Sequence, residues 1–436
     1  MTDTITHDDL VEAWPLLDTT ERLQAVALLP RPEAEDLFLT LPTRDQAELV
    51  VNMEPAERRM WLRLLAPDDV ADLLQEAPAE DRAALLGLLD PATRGEVTGL
   101  LAYAEDQAGG LMNPHYARLR PEMSVAEVLA YLHRFAREHS DGVYYAYVLD
   151  ADLRLLGTVS FRELFAADPL QRVRDVMRPD PVTVPENLDQ EEVSKLFAAH
   201  HFLALPVVDA LGRMKGVVTI DDVVDVVREE ATEDIQKIGG TEALGAPYLA
   251  VGFPSMIRKR AGWLSALFLG ELLTATAMGR YEDEIARAVV LALFVPLIIS
   301  SGGNSGSQAT TLVIRAMALG EVGLRDWWRV IRRELASGLV LGCILAVIGL
   351  VRILVWQSVF HAYGTHYALV AATVGLSLIG VVTFGTLAGS MLPFVLRRLG
   401  FDPASASAPF VATLVDVTGL VIYFTVASVV LRGTLL

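Results

Sequence analysis

The sequence predicts a multidomain membrane protein: an all-α superhelical N-terminal domain, a duplicated α/β pair, a long connecting helix and an α transmembrane domain of five helices. Three observations predict it. The mean hydropathy of +0.38 is too apolar for an ordinary soluble protein, yet the net charge is −19. Dividing the chain resolves the conflict, because residues 1–250 hold 46 Asp and Glu against 22 Lys and Arg (net −24), whereas residues 251–436 hold 9 against 14 (net +5). Finally, one pattern of strand, turn, strand and helix occurs twice, 59 residues apart.

A half at −24 repels itself and any polyanion, so nucleic acid is not an expected partner and cations are. Ordinary solubility charge is the alternative reading of the same acids. The lone cysteine, Cys343, lies in an apolar run, so one chain can form neither a disulfide framework nor a thiolate cluster. The start, MTDTITHDDL, lacks the basic and apolar regions of a secretory signal, so the acidic half is expected to stay cytosolic.

Pro recurs at 30, 42, 55, 67, 78 and 91, a spacing of 11 to 13, each followed by a charged and then an apolar run. Proline suits the first turn of a helix, where its missing N–H is not needed. Each Pro is therefore expected to open a short helix, and a stack of such helices would share one core. Asp68 and Asp72 stand at i and i+4, two carboxylates on one face, either solvated or bridged by a cation.

The duplicated unit starts with LMNPHYARLRPEMSVAEVLAYL at Leu111 and VMRPDPVTVPENLDQEEVSKLF at Val176. Asp150, Gly157 and Val159 recur as Asp209, Gly216 and Val218. The pair resembles tandem cystathionine-β-synthase (CBS) domains, which implies a regulatory module that often dimerises and often binds adenine nucleotides or ions. Asp222 stands where nucleotide-binding members place an acid near the ribose, which leaves room for ATP.

Next comes DDVVDVVREEATEDIQKIGG, with Asp221, Asp222, Asp225, Glu229, Glu230, Glu233 and Asp234 inside 14 residues. A charge run is usually a solvated face. Carboxylates and water are also what Mg²⁺ selects, normally one or two carboxylates per ion. A plain linker helix ended by Gly239 and Gly240 is a third reading.

Five apolar stretches, at about 261–279, 286–314, 335–359, 367–396 and 409–431, are long enough to span a bilayer. Basic flanks at Arg258 to Arg260, Arg325 to Arg333 and Arg397 to Arg398 place the N-terminal half in the cytosol and the C-terminus outside. The second stretch carries PLIISSGGNSGSQATTLVIRAMALGE, whose small and polar residues suit either a helix-packing seam or a hydrated pore lining. The fifth carries one charge, Asp416, about seven residues and ~10 Å of helix rise beyond Pro409. A carboxylate at that depth costs at least ~2.5 kcal/mol and is kept where it faces a partner, a cavity or an ion.

With these segments in order, the chain resembles the MgtE family of magnesium channels or transporters, most specifically in PLIISSGGNSGSQATTLVIRAMALGE and DPASASAPFVATLVDVTGLVIYF. The resemblance implies domains at 1–108 (helical N-domain), 109–172 and 173–229 (CBS pair), 230–252 (connecting or plug helix) and 253–436 (pore). It implies a homodimer in the cell (inner) membrane with one pore on the shared axis, Asp416 binding hydrated Mg²⁺, and Gly302, Gly303, Asn304, Gly306, Gln308, Ala412, Thr413 and Gly419 lining the pore. It further implies cytosolic Mg²⁺ sensing by Asp68, Asp72, Glu191, Asp222, Asp225, Glu230, Glu233, Asp234 and Asp402, with closure at high internal Mg²⁺. His201 stands where the family pattern expects an acid, and an imidazole is a softer ligand suited to Zn²⁺ or Cu²⁺. Two other classes compete: a carrier coupled to Na⁺ or H⁺ with Asp416 protonatable, and a membrane-tethered sensor that conducts nothing. The sequence has no P-loop, nucleophile elbow or HExxH, so no enzyme is expected.

Overall fold

A computed structural model describes residues 7–138, 144–249 and 251–435. The chain divides into two compact units, Met1–Val227 and Arg228–Leu436.

The first unit opens with short helices, among them Thr19–Leu28, Arg31–Thr40, Thr43–Asn52, Pro55–Leu62, Pro67–Glu76, Ala79–Leu88 and Pro91–Leu100. Pro55, Pro67 and Pro91 are first helical residues, as expected. Pro30, Pro42 and Pro78 instead stand one place earlier, as N-caps with ψ near 140°. A ring-fixed φ suits both places, because neither needs the N–H. Alternate helices pack together: Thr43–Asn52 lies against Thr19–Leu28 and Pro67–Glu76, and Pro67–Glu76 against Pro91–Leu100. Ten residues give only about 15 Å of helix, so no member can bury its apolar face alone. Leu37, Phe38, Leu49, Val50, Leu73, Leu74 and Leu85 fill the shared core.

Each repeat of the pair then builds a small sheet. In the first, β1 (Ala117–Leu119) pairs in parallel with β2 (Tyr145–Leu149), β2 antiparallel with β3 (Leu155–Ser160), and β3 antiparallel with β4 (Arg178–Pro179). In the second, β5 (Val184–Pro185) is parallel to β6 (Ala204–Val208), which is antiparallel to β7 (Met214–Thr219). Helices Val125–Glu138 and Gln190–His200 make the crossovers that parallel pairing requires. The recurring anchors do equivalent work. Asp150 Oδ1 accepts from the N–H groups of Asp152 and Arg154, and Asp209 Oδ1 from those of Leu211 and Arg213, closing the same turn twice. The repeats also exchange edges. β4 opens the second repeat but pairs with β3 of the first, while Asn113 of the first bridges Val217 of the second. Gly157 and Gly216 sit at these edges, where a Cβ would lie 2.7 Å from the Arg178 and Asn113 carbonyls respectively.

The acidic helix is continuous over Ile220–Ile238, so the expected boundary at 229/230 falls inside an element. It stops there because Gly240 takes φ +75°, a left-handed conformation that glycine adopts without strain.

In the second unit five helices are long and apolar enough to cross a membrane: Phe253–Arg280, Val289–Ala318, Leu324–Phe360, Tyr367–Arg398 and Ala408–Val430. The second expected stretch, 286–314, is not one helix. A short helix ends at Arg287, Ala288 takes φ −127° and ψ 68°, a single helical turn covers Val289–Ala292, and the long helix of the span starts at Val295 with Pro296 in its first turn. The fourth span packs against the second, third and fifth, and the first touches chiefly the fifth. Small residues allow the close approach. A Cβ on Gly342 would meet the Ile379 Cα at 2.7 Å, and Gly385 packs on the carbonyl of Gly302.

Candidate cation sites

Asp416 lies half-buried two turns into the fifth span. That helix is firmly started: Ser407 Oγ accepts from Phe410 N at 3.3 Å and also from Trp263 Nε1 of the first span at 3.1 Å. Beside Asp416 is a second acid, Glu271 of the first span, with the two carboxyl groups within hydrogen-bonding reach. Gly270 makes this approach possible, since a Cβ there would lie 2.7 Å from Thr413 Cγ2. Glu271 is absent from the residues expected above. The signal was available, because a single acid in an apolar stretch is a functional candidate wherever it occurs.

The expected pore lining separates into two groups. Gly302, Gly303, Gly306 and Gly419 are buried within the single chain. A Cβ would lie 2.5 Å from Val381 Cγ1 at Gly302, 2.7 Å from Val411 Cγ1 at Gly306 and 3.1 Å from Val381 Cγ1 at Gly419. Gly302, Gly306 and Gly419 thus stand at close helix–helix approaches, whereas Gly303 has its nearest neighbour, Ala412, at an ordinary 3.5 Å. Neighbouring hydroxyls knit the same seam: Thr310 Oγ1 donates to the Gly306 and Gly389 carbonyls, and Ser307 Oγ to that of Ala408. Asn304 and Gln308 are exposed and open onto a cavity of about 340 Å³ with Ser301, Ser305, Leu341, Ile344, Leu345 and Val382. Ala412 packs on Gly303, and Thr413 Oγ1 donates to the Pro409 carbonyl at 3.1 Å.

In the first unit the sensor candidates partly converge. Asp68, buried in the first turn of its helix, lines a cleft of about 110 Å³ with Asp69, Asp221, Asp222, Asn113, His115 and Thr219. Asp69 and Asp221 join Asp68 and Asp222 here without having been among the expected sensor residues. Asp222 Oδ2 accepts from Thr219 Oγ1 at 2.7 Å and Thr219 N at 3.3 Å. Burial first, and then the charges of Asp221 and Asp69, push the Asp222 carboxyl up to about 7 despite the Thr219 hydrogen bonds. A carboxylate so short of positive charge suits a cation. Among the described residues no three His, Cys, Asp or Glu side chains are grouped so as to hold a metal ion.

The other candidates lie apart from this cleft. Asp72 is half-buried one turn after Asp68, and Asp225 is exposed one turn after Asp222. Glu191 is bound to Lys195 at 3.0 Å. Glu230 and Asp234 are half-buried on the second-unit part of the acidic helix. Glu233 and Asp402 both contact Lys237, whose Nζ is 2.6 Å from Asp402 Oδ2. Burial opposes the charge on Lys237, but hydrogen bonds and charges from Asp402 and Glu233 outweigh it and raise the ammonium above the usual lysine range. His201 plays a structural part, because at φ 55° it ends the Gln190–His200 helix in the left-handed conformation, donating its N–H to the Phe197 carbonyl.

Residues 295–426 match the MgtE divalent cation transporter model, 5–106 the MgtE intracellular N domain and 173–229 the CBS domain. The magnesium transporter MgtE of Thermus thermophilus is 44% identical over 340 residues, covering 78% of this chain and 73% of that protein. The chain belongs to the MgtE family. A second MgtE, from Enterococcus faecalis, is 32% identical over 78% of this chain and 72% of its own length. A crystal structure of the cytosolic domain of the Mg²⁺ channel MgtE in complex with ATP is 44% identical, covering 51% of this chain and 90% of that one at a TM-score of 0.48. The MgtE membrane match contains the second span and Asp416, whereas Glu271 precedes it. The family is one of divalent cation transporters, and the chain is not an enzyme.

Proposed function

We propose that this MgtE protein is a homodimeric, Mg²⁺-selective channel that imports Mg²⁺ across the cell (inner) membrane. Its N-terminal domains lie in the cytosol and its C-terminus outside, as the basic flanks of the spans favour. The observation that carries the reading is Asp416, a half-buried carboxylate on the fifth span with Glu271 beside it. Mg²⁺, the cargo, dehydrates reluctantly, so carboxylates at a pore axis act best on its water shell, attracting the dication without stripping it. Membrane potential then suffices to drive entry.

Feedback closure follows from the acid distribution. Asp68, Asp69, Asp221 and Asp222 repel one another across their cleft when divalent cations are scarce and draw together when they are plentiful. That differential binding is what a ligand-driven change of state requires, and several weak sites acting together can supply the few kcal/mol needed. Asp72, Asp225, Glu191, Glu230 and Asp234 add to the same acidic field. The field also bears on ATP: the acids around Asp222 would repel phosphates, so we assign Asp222 to cations and leave nucleotide binding to other parts of the CBS pair.

The test is Mg²⁺ flux into vesicles holding the purified chain. The wild type should conduct without a Na⁺ or H⁺ gradient and Asp416→Ala should not, while eluting as the same dimer. Flux that follows either gradient would instead establish a coupled carrier, and no flux at all a non-conducting sensor.

A further inference from the structure

The start of the third span carries a basic and aromatic surface that neither Asp416 nor the acidic cleft uses. Residues 325–333 hold four arginines against one acid, Asp326, a net +3. Asp326 is already engaged: its Oδ2 accepts from Gly323 N at 3.2 Å and its Oδ1 from Arg329 Nη1 at 3.0 Å. Arg325, Arg332 and Arg333 are exposed and, among the described residues, enter no salt bridge. The next acid, Glu334, is half-buried.

Trp327 and Trp328 stand among these arginines, each about half exposed, with ring centroids 5.6 Å apart. The Arg332 guanidinium lies over the Trp328 ring, 5.1 Å from its centroid. Stacking of this kind orients the planar donors of an arginine before any ligand arrives. The ground beneath is firm as well, because Val322 and Val330, on either side of the turn Leu324–Asp326, pack on Val313, Met317 and Phe394 of the second and fourth spans.

The same helix face continues along the span as apolar surface. Leu335 and Leu339 follow Arg332 by three and seven residues, and Val340 follows Arg333 by seven, so they share the arginines' side of the helix. They are 41%, 44% and 60% exposed on a helix long and apolar enough to cross a membrane. Guanidinium groups above an outward apolar stripe, with indoles at the level between, complement a phospholipid from headgroup to chain. Guanidinium forks bind phosphate oxygens in pairs. A zwitterionic headgroup brings its own ammonium into this positive field, whereas an anionic one does not.

We propose that the start of the third span is a binding site for an anionic phospholipid. Arg332 and Arg333 hold its phosphate, Arg325 and Arg329 add to the attracting field, Trp328 orients Arg332, and the acyl chains lie along Leu335, Leu339 and Val340. The lipid thereby fixes the end of the third span at the headgroup layer.

The test is native mass spectrometry of the full chain released from micelles holding equal amounts of phosphatidylglycerol and phosphatidylcholine. The wild type should retain phosphatidylglycerol about fivefold over phosphatidylcholine, the ratio that ~1 kcal/mol gives. Arg332→Gln/Arg333→Gln should bring the two lipids near parity, while Arg258→Gln/Arg260→Gln, which removes the same charge at the first span, should keep the preference. Trp328→Ala, which withdraws the ring under Arg332, should lower the preference in the same direction and keeps the proposal testable if the double arginine variant does not fold. Parity in the wild type, a preference that survives Arg332→Gln/Arg333→Gln, or an equal loss in Arg258→Gln/Arg260→Gln would overturn the site, the last because it marks attraction by net charge alone. Glycerol phosphate retained as well as phosphatidylglycerol would overturn the lipid assignment in favour of a soluble phosphate.

Discussion

Individual acids carry the chemistry, and their surroundings separate their roles. Asp416 and Glu271 meet from different spans, so their substitutions should differ in degree. Asp416→Asn should abolish Mg²⁺ flux, whereas Glu271→Gln should keep the fold and lower the flux by roughly tenfold, a loss of ~1.4 kcal/mol of cation attraction; equal flux in Glu271→Gln and wild type would show that Glu271 is a bystander. Asp222 yields a pH prediction. Its folded-state value near 7 lies above its ordinary 3.8, so the folded state prefers the protonated acid. The stability that this preference gives is complete below about 3.8 and is lost as pH rises through about 7. Thermal melts of the full chain in detergent should therefore fall across that window for the wild type and stay flatter for Asp222→Asn. Above it, added Mg²⁺ should restore the wild type more than the variant. Glu191 shares Lys195 with Glu192, so its share of the acidic field is smaller than that of Asp222.

At the scale of elements, the spans are joined by glycine seams that tolerate very unequal change. Gly302 has Val381 Cγ1 2.5 Å from where a Cβ would stand, but at Gly303 the nearest atom, in Ala412, is 3.5 Å away. Gly302→Ala should cost ~1–3 kcal/mol through overpacking, and Gly303→Ala should be close to neutral, as read by thermal stability in detergent. Five spans, short N-terminal helices and the duplicated sheets were legible in the sequence because hydropathy, proline spacing and a 59-residue repeat are local signals. The role of the Gly-rich motif was not. GGNSG is compatible with a lining or a seam, and the close approach of Val381, Gly385 and Val411 to Gly302 and Gly306 is visible only in three dimensions. The exchanged edge at Asn113 and Val217 was equally out of reach, since strand pairing between repeats leaves no mark on either sequence. The Lys237 contact spans 165 residues, and no spacing rule connects positions so far apart.

At the scale of the whole molecule, a net −24 in residues 1–250 and +5 in the remainder give the two halves different work. The acidic half repels itself, which favours cations as partners, and the apolar half holds a carboxylate where an isolated charge would be costly. Both were readable from composition and from Asp416 alone, but Glu271 needed the contact between the first and fifth spans to give it a place. The central claim is that one cation is both cargo and regulator. It is tested most directly by voltage-clamped Mg²⁺ current through the purified full chain with Mg²⁺ set separately on each face. An inward current that is large without cytosolic Mg²⁺, shrinks as cytosolic Mg²⁺ reaches the millimolar range and is missing in Asp416→Asn is the predicted result. A current that persists in Asp416→Asn, or that ignores cytosolic Mg²⁺, would contradict the account.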